Sequence, residues 1–160
     1  MSTQQTPVIK TMANLEAAFA GESMAHIKYR YFAKVCREMG DIQTAEVFEQ
    51  TADQEVMHAF GHLDLLYPKA TLSPAKVLQM AIDGETYEYT EMYPSFKKTA
   101  IEEGNALAIK EIDDQIAESQ EHAQQFAKTL EMAQKRFNAL AKVEERHANH
   151  YQEHLNRLQA

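Results

Sequence analysis

Two histidines in this sequence follow a glutamate by three positions. Glu55 precedes His58 in the stretch Thr51-Ala-Asp-Gln-Glu-Val-Met-His, and Glu144 precedes His147 near the C-terminus. Residues three apart lie on one face of a helix, one turn above the other. Each pair therefore brings a carboxylate and an imidazole toward one point, at a separation that suits a shared metal ion.

Two further glutamates, Glu22 and Glu85, each follow a glycine in a helical stretch, and Glu88 faces the same way as Glu85. Two glutamate helices and two Glu-x-x-His helices form the ligand set of ferritin-like di-iron or di-manganese bundles. Carboxylate and imidazole ligands suit iron or manganese. The sequence therefore predicts a two-metal centre, at which zinc would be a structural or hydrolytic substitute.

A second candidate pair competes with the C-terminal one. Glu118 and His122 lie four apart and also share a helix face. Polar residues 113–115 interrupt the apolar pattern before them, whereas Glu144 and His147 continue an apolar stripe. The pattern favours Glu144 and His147 and leaves the other pair as the alternative.

Two tyrosines lie close to these ligands along the chain. Tyr29 is two helical turns after Glu22, and Tyr93 follows Glu88 by five residues. A buried phenol needs a hydrogen-bond partner, which a ligand carboxylate would provide. Core packing alone is an equally good interpretation of both.

The first half of the chain predicts a helical hairpin. Residues 1–9 are expected to form a short arm, followed by a helix over 11–39 with apolar residues at helical spacing. Gly40 and Asp41 then supply a C-terminal glycine and an N-cap for a second helix, which ends near Leu66. Because the turn is so short, the two helices should be antiparallel.

The second half predicts a longer hairpin. Ser73 and Pro74 open a third helix that extends to about residue 103, with a kink at Pro94. Residues 105–160 are too long for one helix of a small bundle, so a break is expected, with Ser119 as an N-cap. The excess, roughly 105–130, is expected to be a helical insertion in a single domain spanning 1–160.

The composition fits a single all-α domain. The chain has 160 residues, of which 44% are apolar and 25% are charged, with few glycines and prolines. A net charge of −8 argues against a nucleic-acid partner. No membrane span and no signal peptide are apparent, which favours a cytoplasmic location. The one cysteine, Cys36, excludes a four-cysteine metal site within these residues.

Four motifs resemble the rubrerythrins, over most of residues 11–158. They are Ala20-Gly-Glu-Ser-Met-Ala, the stretch from Thr51 to His58, Gly84-Glu-Thr-Tyr-Glu-Tyr-Thr-Glu-Met-Tyr-Pro and Leu140-Ala-Lys-Val-Glu-Glu-Arg-His. The resemblance implies a ferritin-like four-helix bundle with two iron ions. The ligands it implies are Glu22, Glu55, His58, Glu85, Glu88, Glu144 and His147, with Tyr29 and Tyr93 hydrogen-bonded to them.

The resemblance also implies the reaction and its partners. Rubrerythrins reduce hydrogen peroxide to water at the di-iron site, and O2 is a second oxidant to consider. Many carry a rubredoxin domain as electron source, and with one cysteine here the expected source is a separate rubredoxin-like protein. A homodimer is expected, with exchange of helices between chains as one arrangement. The alternative function is oxidation or buffering of iron without peroxidase turnover.

Overall fold

The computed structural model of the protein describes residues 10–159, which are almost entirely helical. The chain divides into two compact units, one ending at Leu72 and the other beginning at Ser73. None of the helices in the described residues is both long and apolar enough to cross a membrane. The predicted residue 1–9 arm lies outside the described residues.

The first unit is a hairpin of two helices, α1 (Thr11–Glu38) and α2 (Ile42–Leu66). Gly40 ends α1 with a φ of 85°, a conformation that costs glycine little. The Asp41 carboxylate then accepts a hydrogen bond from the Thr44 backbone N–H at 3.0 Å and caps α2. The predicted hairpin and both of its turn residues are confirmed. A short 3₁₀ turn, Lys69–Thr71, follows.

Alanines allow the two helices of the hairpin to approach closely. Ala45, Ala52 and Ala59 recur at every seventh position of α2 and are buried, as is Ala33 on α1. The ring nitrogen Nδ1 of His26 lies 2.7 Å from the carbonyl oxygen of Ala52, which ties α1 to the α2 backbone. This close contact holds the α1 and α2 side chains that face each other in a fixed register.

The second unit begins with α3 (Pro74–Tyr87), capped by Ser73, whose Oγ accepts from the Lys76 N–H at 3.2 Å. A π-helical turn (Glu88–Met92) then leads into α4 (Tyr93–Glu102). In this turn the Tyr93 N–H donates to the carbonyl of Glu88, at a position i−5 rather than the usual i−4. The irregularity falls just before Pro94, which has no N–H to donate, so the expected disturbance is found as a π turn.

The helix α5 (Ala106–Leu158) is continuous over 53 residues, about 80 Å at the usual rise. Gly104, with a φ of 68°, ends α4, and Asn105 caps α5 by accepting from the Ala108 N–H at 3.1 Å. The predicted break at Ser119 is wrong, because Ser119 lies inside the helix and its hydroxyl binds another helical segment instead. The prediction of an all-α fold is confirmed for the described residues.

Candidate metal centre

The first unit brings three predicted ligands together between α1 and α2. Glu22, Glu55 and His58 each offer a donor atom, and these atoms all lie within 4.8 Å of one another. The His58 Nδ1 is 2.9 Å from Glu55 Oε2 and 3.9 Å from Glu22 Oε2. Both carboxylates are half-buried, and the imidazole is exposed. Two carboxylates and one imidazole at this spacing fit a divalent iron or manganese ion.

The pKa values of the two carboxylates in this cluster are shifted in opposite directions. The hydrogen bond with Glu55 raises the pKa of Glu22 above its usual value, and burial and the negative charge of Glu55 act in the same direction. The hydrogen bonds with Glu22 and then with His58 lower the pKa of Glu55. Glu22 is therefore the carboxyl group that takes up a proton first when no cation is bound.

Ion pairs further along the hairpin fix the same register. Arg30 pairs with Asp53, and the Arg37 guanidinium makes two hydrogen bonds to Glu49, of 2.9 and 2.7 Å. Such a two-point contact restricts how far α1 can slide along α2. The sequence analysis did not single out these pairs, because they join residues far apart in the chain.

In the second unit, His122 and Ser119 of α5 contact the candidate ligands Glu85 and Glu88. The His122 Nδ1 lies 3.4 Å from Glu85 Oε1, and the Ser119 Oγ donates a hydrogen bond of 3.0 Å to Glu88 Oε2. Glu85 and Glu88 are half-buried, and Ser119 is only 4% exposed. The structure therefore places residues of the predicted insertion, 105–130, directly against the candidate ligands Glu85 and Glu88.

The other candidate pair lies elsewhere on α5. Glu144 and His147 are 3.5 Å from each other, with side chains 74% and 57% exposed. The expected core environment of these two residues is not found within this unit, because neighbouring apolar side chains such as Phe137 and Leu140 are also exposed. Glu118 is exposed as well. The assignment of Glu144 and His147 as ligands stays a prediction.

A repeat that runs through the two turns explains why His122 meets Glu85. The interval from Gly40 to Glu55 equals the interval from Gly104 to Ser119. The interval from Gly40 to His58 likewise equals the interval from Gly104 to His122. This spacing was the sequence signal for His122, and it places Ser119 at the position of Glu55. The sequence analysis missed it because serine is not a usual ligand of iron.

The two predicted tyrosines differ in their surroundings. Tyr29 packs its ring against Phe48 and Phe32, at centroid distances of 5.8 and 6.5 Å. Burial raises the pKa of Tyr93, and the negative charges of Glu88 and Glu85 raise it further. Tyr93 therefore keeps its phenol proton next to these two candidate ligand carboxylates. Hydrogen bonds from either tyrosine to a ligand stay predictions.

Comparison with known proteins gives one consistent result. The family model described as Rubrerythrin matches residues 13–130. Nigerythrin of Nitratidesulfovibrio vulgaris is 38% identical over 121 residues, which cover 68% of this chain and 60% of nigerythrin. Rubrerythrin of Porphyromonas gingivalis is 41% identical over 106 residues, which cover 59% of this chain and 53% of that protein.

A solved structure, fully reduced, all-ferrous nigerythrin, is also similar. It is 35% identical and covers 82% of this chain and 71% of that chain, with a TM-score of 0.38, so the family assignment rests on the sequence matches. The match to the family model includes Ser119 and His122 and ends before Glu144 and His147. The matched region is little more than half the length of the two curated relatives, 60% and 53%.

Proposed function

Because this chain belongs to the rubrerythrin family, we propose that it is an oxidoreductase that reduces hydrogen peroxide to water at a di-iron centre. The observation that carries the proposal is the cluster of Glu22, Glu55 and His58. Two carboxylates and an imidazole from separate helices converge within 4.8 Å, in a hairpin whose register is fixed by alanine packing and ion pairs. Manganese or zinc would be substitutes for iron with the same donor atoms.

We propose that each unit supplies one set of ligands. Glu22, Glu55 and His58 form the first set. For the second set we assign Glu85, Glu88 and His122, because Nδ1 of His122 lies 3.4 Å from Glu85 and the family match includes it. Glu144 and His147 are the competing assignment from the sequence, and the experiment below separates the two.

The chemistry divides between metal and protein. When bound, two ferrous ions would supply the two electrons that reduce one peroxide, together with two protons, to two water molecules. The carboxylates hold the cations and balance their charge. We assign Tyr93 as the proton donor because its phenol lies close enough to Glu88 and Glu85 to interact with their charges; its raised pKa keeps the phenol protonated but does not make it a stronger acid.

The electrons must be replaced after each turnover. These 160 residues contain one cysteine, which is too few for a rubredoxin-type iron site within them. We therefore propose a rubredoxin-like donor outside these residues. O2 is the alternative oxidant. A homodimer and a cytoplasmic location stay predictions, the first of which light scattering on the purified chain would test.

The decisive experiment compares four single variants: His122→Ala, Glu85→Ala, His147→Ala and Glu144→Ala. Iron per chain is measured after anaerobic loading and desalting, and peroxide consumption is followed with reduced rubredoxin as donor. We expect wild-type protein to hold two iron ions. His122→Ala and Glu85→Ala should each lose at least one, whereas His147→Ala and Glu144→Ala should keep both and turn over normally.

Two outcomes would contradict these assignments separately. Loss of iron in His147→Ala together with full loading of His122→Ala would return the second ligand set to the C-terminal pair. Full iron loading with no sustained peroxide consumption in the wild-type protein would overturn the peroxidase proposal and favour oxidation or buffering of iron.

A further inference from the structure

The two units share a pattern of turn residues and candidate ligands, and two positions of that pattern differ between them. Both have a glycine at positive φ followed by a capping residue, Asp41 or Asn105. Both also have a histidine at the same interval after that glycine, His58 or His122. Where the first unit has Glu55, the second has Ser119. A carboxylate that the first unit places beside its histidine is therefore absent from the same place in the second.

The second difference lies on the helix before the turn. Gly21-Glu22 corresponds to Gly84-Glu85, so Glu88 occupies the position of Ala25. At these two positions the first unit has Ala25 on its first helix and Glu55 on its second. The second unit has Glu88 on its first helix and Ser119 on its second. Each unit thus has two carboxylates and one histidine, with one carboxylate on opposite helices in the two cases; among the described residues, only the trio of the first unit has all its donor atoms within 4.8 Å of one another.

The Glu88 carboxylate is held by Ser119, the residue that stands where the first unit has Glu55. The Ser119 Oγ donates a 3.0 Å hydrogen bond to Glu88 Oε2, and Ser119 is one of the few buried residues of α5. A buried hydroxyl that donates to one carboxylate oxygen leaves the other oxygen free for a cation and restricts the rotation of the side chain. The Glu55 carboxylate has a different partner, His58.

We propose that Ser119 is a positioning residue that holds Glu88 as the second carboxylate of the Glu85–His122 metal site. The inference rests on the proposed di-iron function. It assigns Ser119 no contact with the metal. Ser119 acts on the site through Glu88. With Glu88 as a ligand, the two proposed sets contain four carboxylates, whose negative charges balance two divalent cations.

The test measures Co2+ binding to metal-free protein by the visible absorption of the bound ion. Removal of a hydrogen-bond partner of a metal ligand weakens binding by about 10- to 100-fold. We therefore expect Ser119→Ala to weaken the binding of one of the two Co2+ ions by that factor and to leave the affinity for the other unchanged. Ser95→Ala, at an exposed serine on α4 of the same unit, is the matched control and should bind both ions as the wild type does.

A double-mutant cycle with Glu88→Gln shows whether Ser119 acts through Glu88. In the Glu88→Gln background, Ser119→Ala should have no further effect on Co2+ affinity or on the absorption spectrum. Circular dichroism on each metal-free variant checks that the helices are intact. If Ser119→Ala weakens binding equally with and without Glu88→Gln, the serine acts through packing and the proposal is wrong.

The restoring variant gives an independent check. Ser119→Glu gives the second unit a carboxylate at the position that Glu55 has in the first. We expect this variant to bind the more weakly held Co2+ more tightly than the wild type does. In its background, Glu88→Gln should have little effect on Co2+ affinity. An unchanged cost of Glu88→Gln in the Ser119→Glu background would overturn the proposal. Wild-type protein that binds no Co2+ would instead refute the metal centre itself, so the two failures are distinguishable.

Discussion

The alanine contact between α1 and α2 makes a quantitative prediction that joins the fold to the metal site. Ala52 is 0% exposed and lies midway between Ala45 and Ala59 on the contact line. Axes of packed helices lie about 8–10 Å apart, depending on the side chains at the contact, and alanines allow the lower value. Leucine at position 52 should push the helices apart by up to about 2 Å, the width of that range.

Such a separation has two measurable consequences. Overpacking of a well-packed contact costs about 1–3 kcal/mol of unfolding free energy. The candidate metal ligands lie on opposite helices, with Glu22 Oε2 already 3.9 Å from His58 Nδ1, so any further separation of the helices would disrupt a shared ion. We expect Ala52→Leu to lower the free energy of unfolding by that amount. It should also weaken metal binding by the ligands of the first unit by at least about tenfold.

Urea unfolding of the metal-free protein measures the first effect, and Co2+ binding measures the second. Ala17→Leu, at an exposed alanine of α1, is the control and should change neither quantity. An Ala52→Leu protein with wild-type stability and wild-type affinity would refute the reasoning, because the helices would then not be held together by close packing at this residue.

Three further predictions are independent of that contact. Asp41→Asn should flatten the loss of stability in acid: the hydrogen bonds from Thr44 lower the pKa of Asp41, so its contribution is full above about pH 4 and is lost as the pH falls. Urea unfolding at several pH values would show it, with an unchanged acid profile as the contrary result. Chelation of the metal should lower the melting temperature, since an ion that binds only the folded state, at 100 times its Kd, stabilises that state by about 2.7 kcal/mol; identical melting curves with and without chelator would refute this. Tyr93→Phe should keep full metal loading and lose about 100-fold in peroxide turnover, whereas the exposed Tyr87→Phe should resemble wild type.

Local signals predicted most of the helices. Gly40 with Asp41 and Ser73 with Pro74 mark helix ends through their own backbone and side-chain chemistry, and the structure confirms both positions. The repeated glutamates and histidines likewise predicted the residues that cluster in the first unit. Such features depend on residues a few positions apart, which a sequence displays directly.

What the sequence did not reveal depends on contacts between distant residues. Ser119 has the chemistry of an N-cap, and only its hydrogen bond to Glu88, 31 positions earlier, shows why a serine lies inside a helix. The break expected there was therefore wrong. The preference for Glu144 and His147 came from an apolar stripe that the structure leaves exposed, since α5 extends past the helices it packs on.

The π turn changes the direction, around the helix axis, in which the side chains after it point. Side chains of a regular helix advance by about 100° per residue, so positions 12 apart, such as Glu88 and Ala100, would point about 120° apart. The extra residue of the turn reduces this difference to about 20°, which brings Glu88 and the buried Ala100 to the same side. Deletion of Thr90 from the turn would restore a regular helix and rotate Glu85 and Glu88 away from α5. The proposed metal site of the second unit therefore depends on Thr90, which is not one of its ligands and whose hydroxyl donates to the Thr86 carbonyl of the same helical segment.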